Sequence, residues 1–507
     1  MKPTTVFVHR DKASAYPDAA PFHPTGAYPE YSLGVIGVGS NLAYDAVRST
    51  FHLAGLDDEN FDTPLWNPLK ELIRPGETIL LKPNLIKESH PRYPDGWRYI
   101  MTHGSVIRAV ADYIWKALEG HGKLIIADAP QTDSSFEKII RVLGLDTIQE
   151  FYRSQDLDLE LIDLRLEEWQ TEGGVITQRS KLKGDPRGAV SFDLGSASEF
   201  ANHTGSGRYY GADYDDEVVN ARHSDGRHQY LLSGTAIQCD VIFSIPKLKT
   251  HKKAGITVSL KNLVGVTADK NWLPHHTEGD PSNLGDEHPS PDVKHKTERL
   301  LLPYVRRLSG AIPFVGLWLH QRARKIGTSL MGDSETVIRS GNWWGNDTTW
   351  RMCLDLNKLV FYGNLDGTLR DGSPKNRKRH YVLVDAIVAG EGRGPLNPDP
   401  VSMGTLLFGL NPASVDAACA YLVGFDPERI PILKHAFQCQ NYPLAEWNWN
   451  DVQIVSNKPE WTGLLVDIPQ DETFKFEPHF GWKTRIERQS EQAEHQSTLT
   501  RTGSSEG

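Results

Sequence analysis

Four lysines and a histidine stand just beyond apolar stretches of this sequence. Lys82-Pro83-Asn84 follows the apolar run 78–81, and Pro246-Lys247-Leu248-Lys249-Thr250-His251 follows the run 241–245. A third motif, Ser259-Leu260-Lys261-Asn262-Leu263-Val264-Gly265, places its lysine ten residues beyond His251. Open α/β sheets bind ligands in the crevice outside the carboxyl ends of their strands, so a cation there points at the crevice. Grouped in that position, Lys82, Lys247, Lys249 and Lys261 would hold a carboxylate or phosphate, with Asn84 and Asn262 as hydrogen-bonding neighbours. His251 would move a proton, and a lysine desolvated among other cations would have a lowered pKa suited to catalysis. Any one of these lysines could equally be an exposed loop charge. Their repetition at strand ends is what points to a site. His103, in Met101-Thr102-His103-Gly104, opens a helical pattern and is either a substrate-binding group or the cap of that helix.

Other residues offer weaker chemistry. His275 and His276, followed by Glu278, Asp280, Asp286, Glu287 and His288, group candidate ligands for zinc, nickel or iron. No helical spacing fixes them, and a solvated polar insertion accounts for them equally well. Asn364-Leu365-Asp366-Gly367-Thr368 has the outline of a phosphatase D-x-D-G-T motif. Its first residue is an amide that cannot form an aspartyl-phosphate, so a turn is expected. Trp343, Trp344, Trp350, Trp447 and Trp449 lie among polar residues and would either stack on a sugar or nucleobase or cover a core edge. Asp128 and Asp385, at the ends of apolar runs, could each orient a lysine or bind a metal, and Asp416 could do so or cap a helix.

The elements that must carry these groups are short buried strands and amphipathic helices. Runs 78–81, 124–127, 241–245, 382–384 and 405–408 are apolar and read as buried parallel strands. Helices are expected over 105–118, 134–143 (capped by Ser134, stopped by Gly144) and 414–423 (stopped by Gly424). The expected fold is therefore α/β, a mainly parallel sheet with helices on both faces. Two polar stretches, 181–230 and 268–298, are expected to be long insertions near the mouth of the site. The remaining organisation reads as an N-terminal segment 1–77 packed on a core of 78–426, a C-terminal extension 427–487 and a disordered tail 488–507.

The 507 residues include 55 Lys+Arg and 65 Asp+Glu, a formal net charge of −10, with 39% hydrophobic and 24% charged residues. This composition excludes wholesale disorder and a polytopic membrane protein, and the acidic balance argues against nucleic acid as a partner. Cys239, Cys353, Cys419 and Cys439 form no C-x-x-C pair, so no iron–sulfur cluster or zinc ribbon is expected. With no signal-peptide pattern at the start, the expected location is cytoplasmic. The apolar stretch 300–319 is interrupted by Arg306 and Arg307 and reads as a buried helix or hairpin. Arg322, Arg324 and Lys325 after it leave peripheral membrane contact as a second reading.

Together, Lys82-Pro83-Asn84, Thr102-His103, the Lys247-to-His251 and Lys261-to-Gly265 blocks and Gly390-Glu391-Gly392 resemble the family called domain of unknown function 362. The resemblance spans about 78–426. Many of its members carry a ferredoxin-like cluster segment, whose cysteines this chain lacks. A weaker similarity connects His251, Gly255, Lys261 and His275 or His276 with nickel-dependent lactate racemase. It implies that His251 is a catalytic base, Lys261 the attachment point of a nickel-pincer nucleotide and His275 or His276 a metal ligand. Val258, Ser259 and Leu260 stand where that family has small glycines. The function expected is an intracellular enzyme acting on a small anionic or sugar-linked substrate, a metal-assisted isomerase or epimerase. The alternative is a non-catalytic ligand- or cofactor-binding protein in a surface-glycan assembly.

Overall fold

Along the strand Val241–Ile245 the side chains alternate between two cores. Val241, Phe243 and Ile245 pack with Phe51, Val110 and Ile114, while Ile242 joins Leu356, Val360 and Ala417 on the opposite side. A strand buried on both faces needs no polar face, which is why it reads as an uninterrupted apolar run. The computed structural model describes residues 1–172, 175–211, 216–291 and 337–489.

The strands of the large sheet, in chain order, are β1 (Thr5–Arg10), β2 (Thr78–Pro83), β3 (Lys123–Asp128), β4 (Leu159–Asp163), β5 (Val241–Ile245), β6 (Lys247–His251), β7 (Gly255–Thr257), β8 (Arg379–Glu391), β9 (Asp399–Gly409), β10 (Gln453–Ser456) and β11 (Gly463–Leu464). Their spatial order is β11-β10-β1-β9-β8-β5-β2-β3-β4, with β6 paired to β7 and β8. Helices α1 (Leu42–Leu53) and α2 (Gly104–Leu118) cover one face. On the other lie α3 (Ser259–Asn262), α4 (Thr349–Tyr362) and α5 (Pro412–Leu422).

The α/β expectation holds, but the sheet is mixed rather than mainly parallel. From β8 through β5, β2 and β3 to β4 every pairing is parallel, whereas β9 is antiparallel to both β8 and β1. The apolar cores 382–384 and 405–408 understate these strands. At full length β8 and β9 leave only the segment 392–398 between them, too short for the crossover that a parallel pair requires.

Both stretches expected as insertions contain paired strands where they are described. Ala189–Asp193 pairs with Gln229–Ser233, and Tyr209–Gly211 with Pro274–Thr277, so the two stretches are tied to each other. The apolar stretch 300–319 and its basic continuation lie outside the described residues, as does the tail from 490. Arg488, expected to begin a disordered tail, donates to Tyr421 Oη at 2.6 Å, and its backbone N–H bonds Gly424 O. Among the described residues no helix is long and apolar enough to cross a membrane.

Candidate functional site

The parallel register aligns the carboxyl ends that carry the lysine motifs. Lys82 on β2 lies opposite Ser244 on β5, and Lys247 on β6 lies opposite Asp385 on β8. Lys82 Nζ is fully buried, 2.8 Å from Asp128 Oδ1 at the end of β3, and also donates to Pro83 O. Asn262 closes this corner by donating to Lys82 O at 3.1 Å and Ser244 Oγ at 3.0 Å. Gly265 passes so close that a Cβ there would stand 1.9 Å from Asp128 Oδ1 and 2.8 Å from Lys82 Nζ. Lys82 and Asn262, both expected to bind substrate, are thus occupied in binding α3 to the sheet.

Lys247 is the second buried ion pair. Its Nζ is 3.1 Å from Asp385 Oδ2 and 2.5 Å from Tyr16 Oη, and Tyr16 in turn donates to Asp385 Oδ1. Burial lowers the pKa of both lysines even beside their carboxylates, and it raises that of Tyr16 well above its ordinary value. Nothing in the sequence marks Tyr16, which comes from the segment before β2. The two aspartates fit one of the roles open to them, each orienting one lysine.

His103 caps α2. Its Nδ1 accepts from Ser105 N at 3.2 Å, its ring stacks on Tyr16, and its backbone N–H donates to Asp385. Asn84 bonds Thr102 through its backbone and lends its Oδ1 to Ile86 N. Both residues brace the floor of the region.

The groups without carboxylate mates lie beyond this floor. Lys249 is fully buried and donates to Ile100 O; burial first, then the charge of Lys247, lowers its pKa well below that of a free lysine. His251 accepts backbone N–H groups from Lys253 at 3.0 Å and Ala254 at 3.1 Å, both at Nδ1. A neutral imidazole so held carries its proton at Nε2, which makes it a donor. A general base must offer a free lone pair, and this ring has none. Burial and Lys261 hold His251 well below the usual histidine range, in the neutral form.

His275 is the opposite tautomer: its Nδ1 meets the carbonyl of Leu273 at 3.0 Å, where only an N–H can donate, so Nε2 is free to accept a proton. Burial and then Lys261 depress its pKa. His276, next to it on a strand and so on the other face, stacks on Tyr210 and lies 3.3 Å from Lys253 Nζ at its Nδ1. The pair expected as metal ligands therefore diverges. Among the described residues no group of three or more His, Cys, Asp or Glu side chains is placed to hold a metal ion.

Lys253, not singled out from sequence, has its pKa lowered to about 7 by burial and the neighbouring Lys252. Lys261 is partly exposed on α3, among Lys249, His251, Lys253 and His275, and its amine has no hydrogen bond or ion pair among the described residues. Asp416 of α5 fixes that short helix by accepting the backbone N–H groups of Ser259 and Leu260 at 2.8 and 2.9 Å. Burial lifts its own pKa to about 7.

Two other sequence candidates are structural. Asp366 and Gly367 form the expected turn, although the run before it is the end of α4 rather than a strand. Trp343 and Trp350 are buried in the protein interior, whereas Trp344 is exposed, with Arg485 over its ring.

Residues 189–421 match the family model described as Domain of unknown function (DUF362). This stretch contains β5 to β9, α3, α4 and most of α5, but neither Lys82 nor Asp128. A thylakoid-associated protein of Synechocystis sp. is 23% identical over 258 residues, 50% of this chain and 58% of that protein's length. A solved protein from Thermotoga maritima aligns with a TM-score of 0.29 and 11% identity over 70% of this chain and 53% of that one, too distant to carry an argument.

Proposed function

We propose that the protein is an enzyme that binds a small phosphate- or carboxylate-bearing substrate and catalyses proton transfer on it, as an isomerase or epimerase does. In this reading Lys261 and Lys253 receive the anion, and His251 Nε2–H donates a hydrogen bond to it. His275 Nε2 takes a proton and returns it, replacing His251 as the base. Lys249, its pKa lowered by burial and then by Lys247, adds less positive charge to that pocket than a free lysine would. Lys82 and Lys247 hold their carboxylates and position the loops. A divalent metal, if one takes part, would use the free Nε2 of His275 and ligands from the substrate.

The observation that carries the reading is the unpaired amine of Lys261 among cations and neutral imidazoles. A partly buried cluster of one sign is costly, and an anion offsets that cost. The enzyme is expected in the cytoplasm. Titration calorimetry with inorganic phosphate tests the site: binding to wild type should be lost in Lys261→Ala. Equal affinity in the two proteins would refute it. The second reading, a non-catalytic ligand-binding protein next to a membrane, is favoured by the description of the Synechocystis relative as thylakoid-associated.

A further inference from the structure

We propose a second oxyanion-binding site, separate from the lysine–histidine cluster, in the cleft between β1 and the C-terminal extension, with Arg10 as its anchor. The cleft has a volume of about 570 Å³, and its walls include Arg10, Lys12, Asn457, Lys458, Glu472 and Phe474. Arg10 ends β1 and Asn457 follows β10. These two strands are parallel, so the cleft lies beyond the carboxyl ends of a parallel pair.

The backbone of Arg10 is clamped, since Asn457 Oδ1 accepts its N–H at 2.8 Å and Asn457 Nδ2 donates to its carbonyl at 2.9 Å. Its guanidinium lies over two rings, 5.2 Å from the centroid of Trp461 and 4.7 Å from that of Phe474. Trp461 is itself fully buried and fixed by its indole N–H on Glu472 O at 2.9 Å. The cation is therefore held in place without spending a single N–H group.

Those N–H groups have no partner among the described residues, and Nε is buried without one. Several other arginines are bonded to carboxylates, although Arg98 Nε, Arg222 Nε and Arg488 Nη1 are also buried without a partner. Arg48 binds Glu30 and Asp62, Arg92 binds Asp399 and Asn397, and Arg165 binds Asp163 and Glu168. The nearby Glu472 carboxylate pairs with Lys458 at 2.6 Å and acts on Arg10 through its charge, without a hydrogen bond to it. What remains at the cleft wall is the Nη1 and Nη2 pair of donors, which can receive a carboxylate or phosphate bidentately. Lys12 on the rim adds a second positive charge, while Asp471 beside it disfavours a polyanion. The ligand class is thus a small molecule with one carboxylate or phosphate group.

The test uses the full chain carrying Lys261→Ala, so that the cluster does not contribute, with inorganic phosphate and acetate as separate probes in calorimetry. One site per chain is expected for at least one probe. Arg10→Gln should weaken it tenfold or more; Arg10→Lys, which keeps the cation on the rings but loses the fork, should weaken it less. As a second measurement that needs no variant, phenylglyoxal modification of Arg10 is followed by peptide mass in wild type, and the effective oxyanion should slow it. Unchanged binding in Arg10→Gln, or modification of Arg10 that neither phosphate nor acetate slows, overturns the proposal.

Discussion

Asp128→Asn should destabilise the protein in a manner that depends on pH. Lys82 is fully buried and Asp128 is its ion-pair partner at 2.8 Å; the asparagine can still accept the Leu85 N–H that now bonds Oδ2 at 2.6 Å. The substitution therefore removes chiefly the countercharge, and an unpaired buried ammonium is expected to shed its proton. Starting from the ordinary lysine value of 10.5, neutralising it costs about 4.8 kcal/mol at pH 7 and about 2 kcal/mol at pH 9, at 1.36 kcal/mol per unit. The sign follows from proton counts. In the variant the unfolded chain binds one proton more than the folded one, so stability rises with pH up to the unfolded pKa. In wild type the Asp128 carboxylate opposes the lowering that burial imposes on the Lys82 pKa, so Lys82 contributes a smaller slope than in the variant. Urea unfolding of both proteins at pH 7, 8 and 9 should show the deficit shrinking by about 1.4 kcal/mol per unit. A deficit below 1 kcal/mol at pH 7, or one that does not change with pH, would refute the buried-pair account.

Gly265→Ala should cost about 1–3 kcal/mol through overpacking against Asp128 and Lys82, read as a lower unfolding midpoint with the fold retained by circular dichroism. Affinity for sulfate, which keeps its charge throughout this range, should rise as pH falls from 8 to 6, because a bound anion raises the pKa of Lys253 from about 7 and binding takes up a proton; Lys253→Met should flatten that dependence in calorimetry. His380 is buried with both ring nitrogens unbonded and a pKa near 3, so it destabilises the fold as pH falls from its unfolded value of 6.5 toward 3. His380→Leu should therefore raise the unfolding midpoint at pH 5 more than at pH 8.

The strand cores were legible because apolar runs that end in a charge mark where a buried strand leaves the sheet. The run 241–245 coincides with β5, and 78–81 and 124–127 fall inside β2 and β3. What lysine pairs with what was only half legible: Asp128 and Asp385 stood out at strand ends, but Tyr16 reaches Lys247 from 231 residues away with no local signal. The direction of β9 was missed because pairing sense depends on the length of the connection, and the outer half of β9, Asp399-Pro400-Val401-Ser402, is too polar to read as buried strand. The tautomers of His251 and His275 depend on backbone groups around each ring. Residue spacing carries no trace of them, so which histidine holds a free Nε2 could not be read from the sequence.

The central position of β5 restricts how this chemistry could be passed between proteins. The matched stretch 189–421 supplies β5 and β8 but not β2, which borders β5 on its other side. An excised 189–421 fragment would carry a raw edge of backbone donors and acceptors along its most apolar strand, with Asn262 facing an absent Lys82. Such a fragment would aggregate rather than fold. Domain shuffling could therefore not transplant the lysine–histidine cluster as a cassette; a recombinant that inherits it must also inherit the chain from β2 through β3.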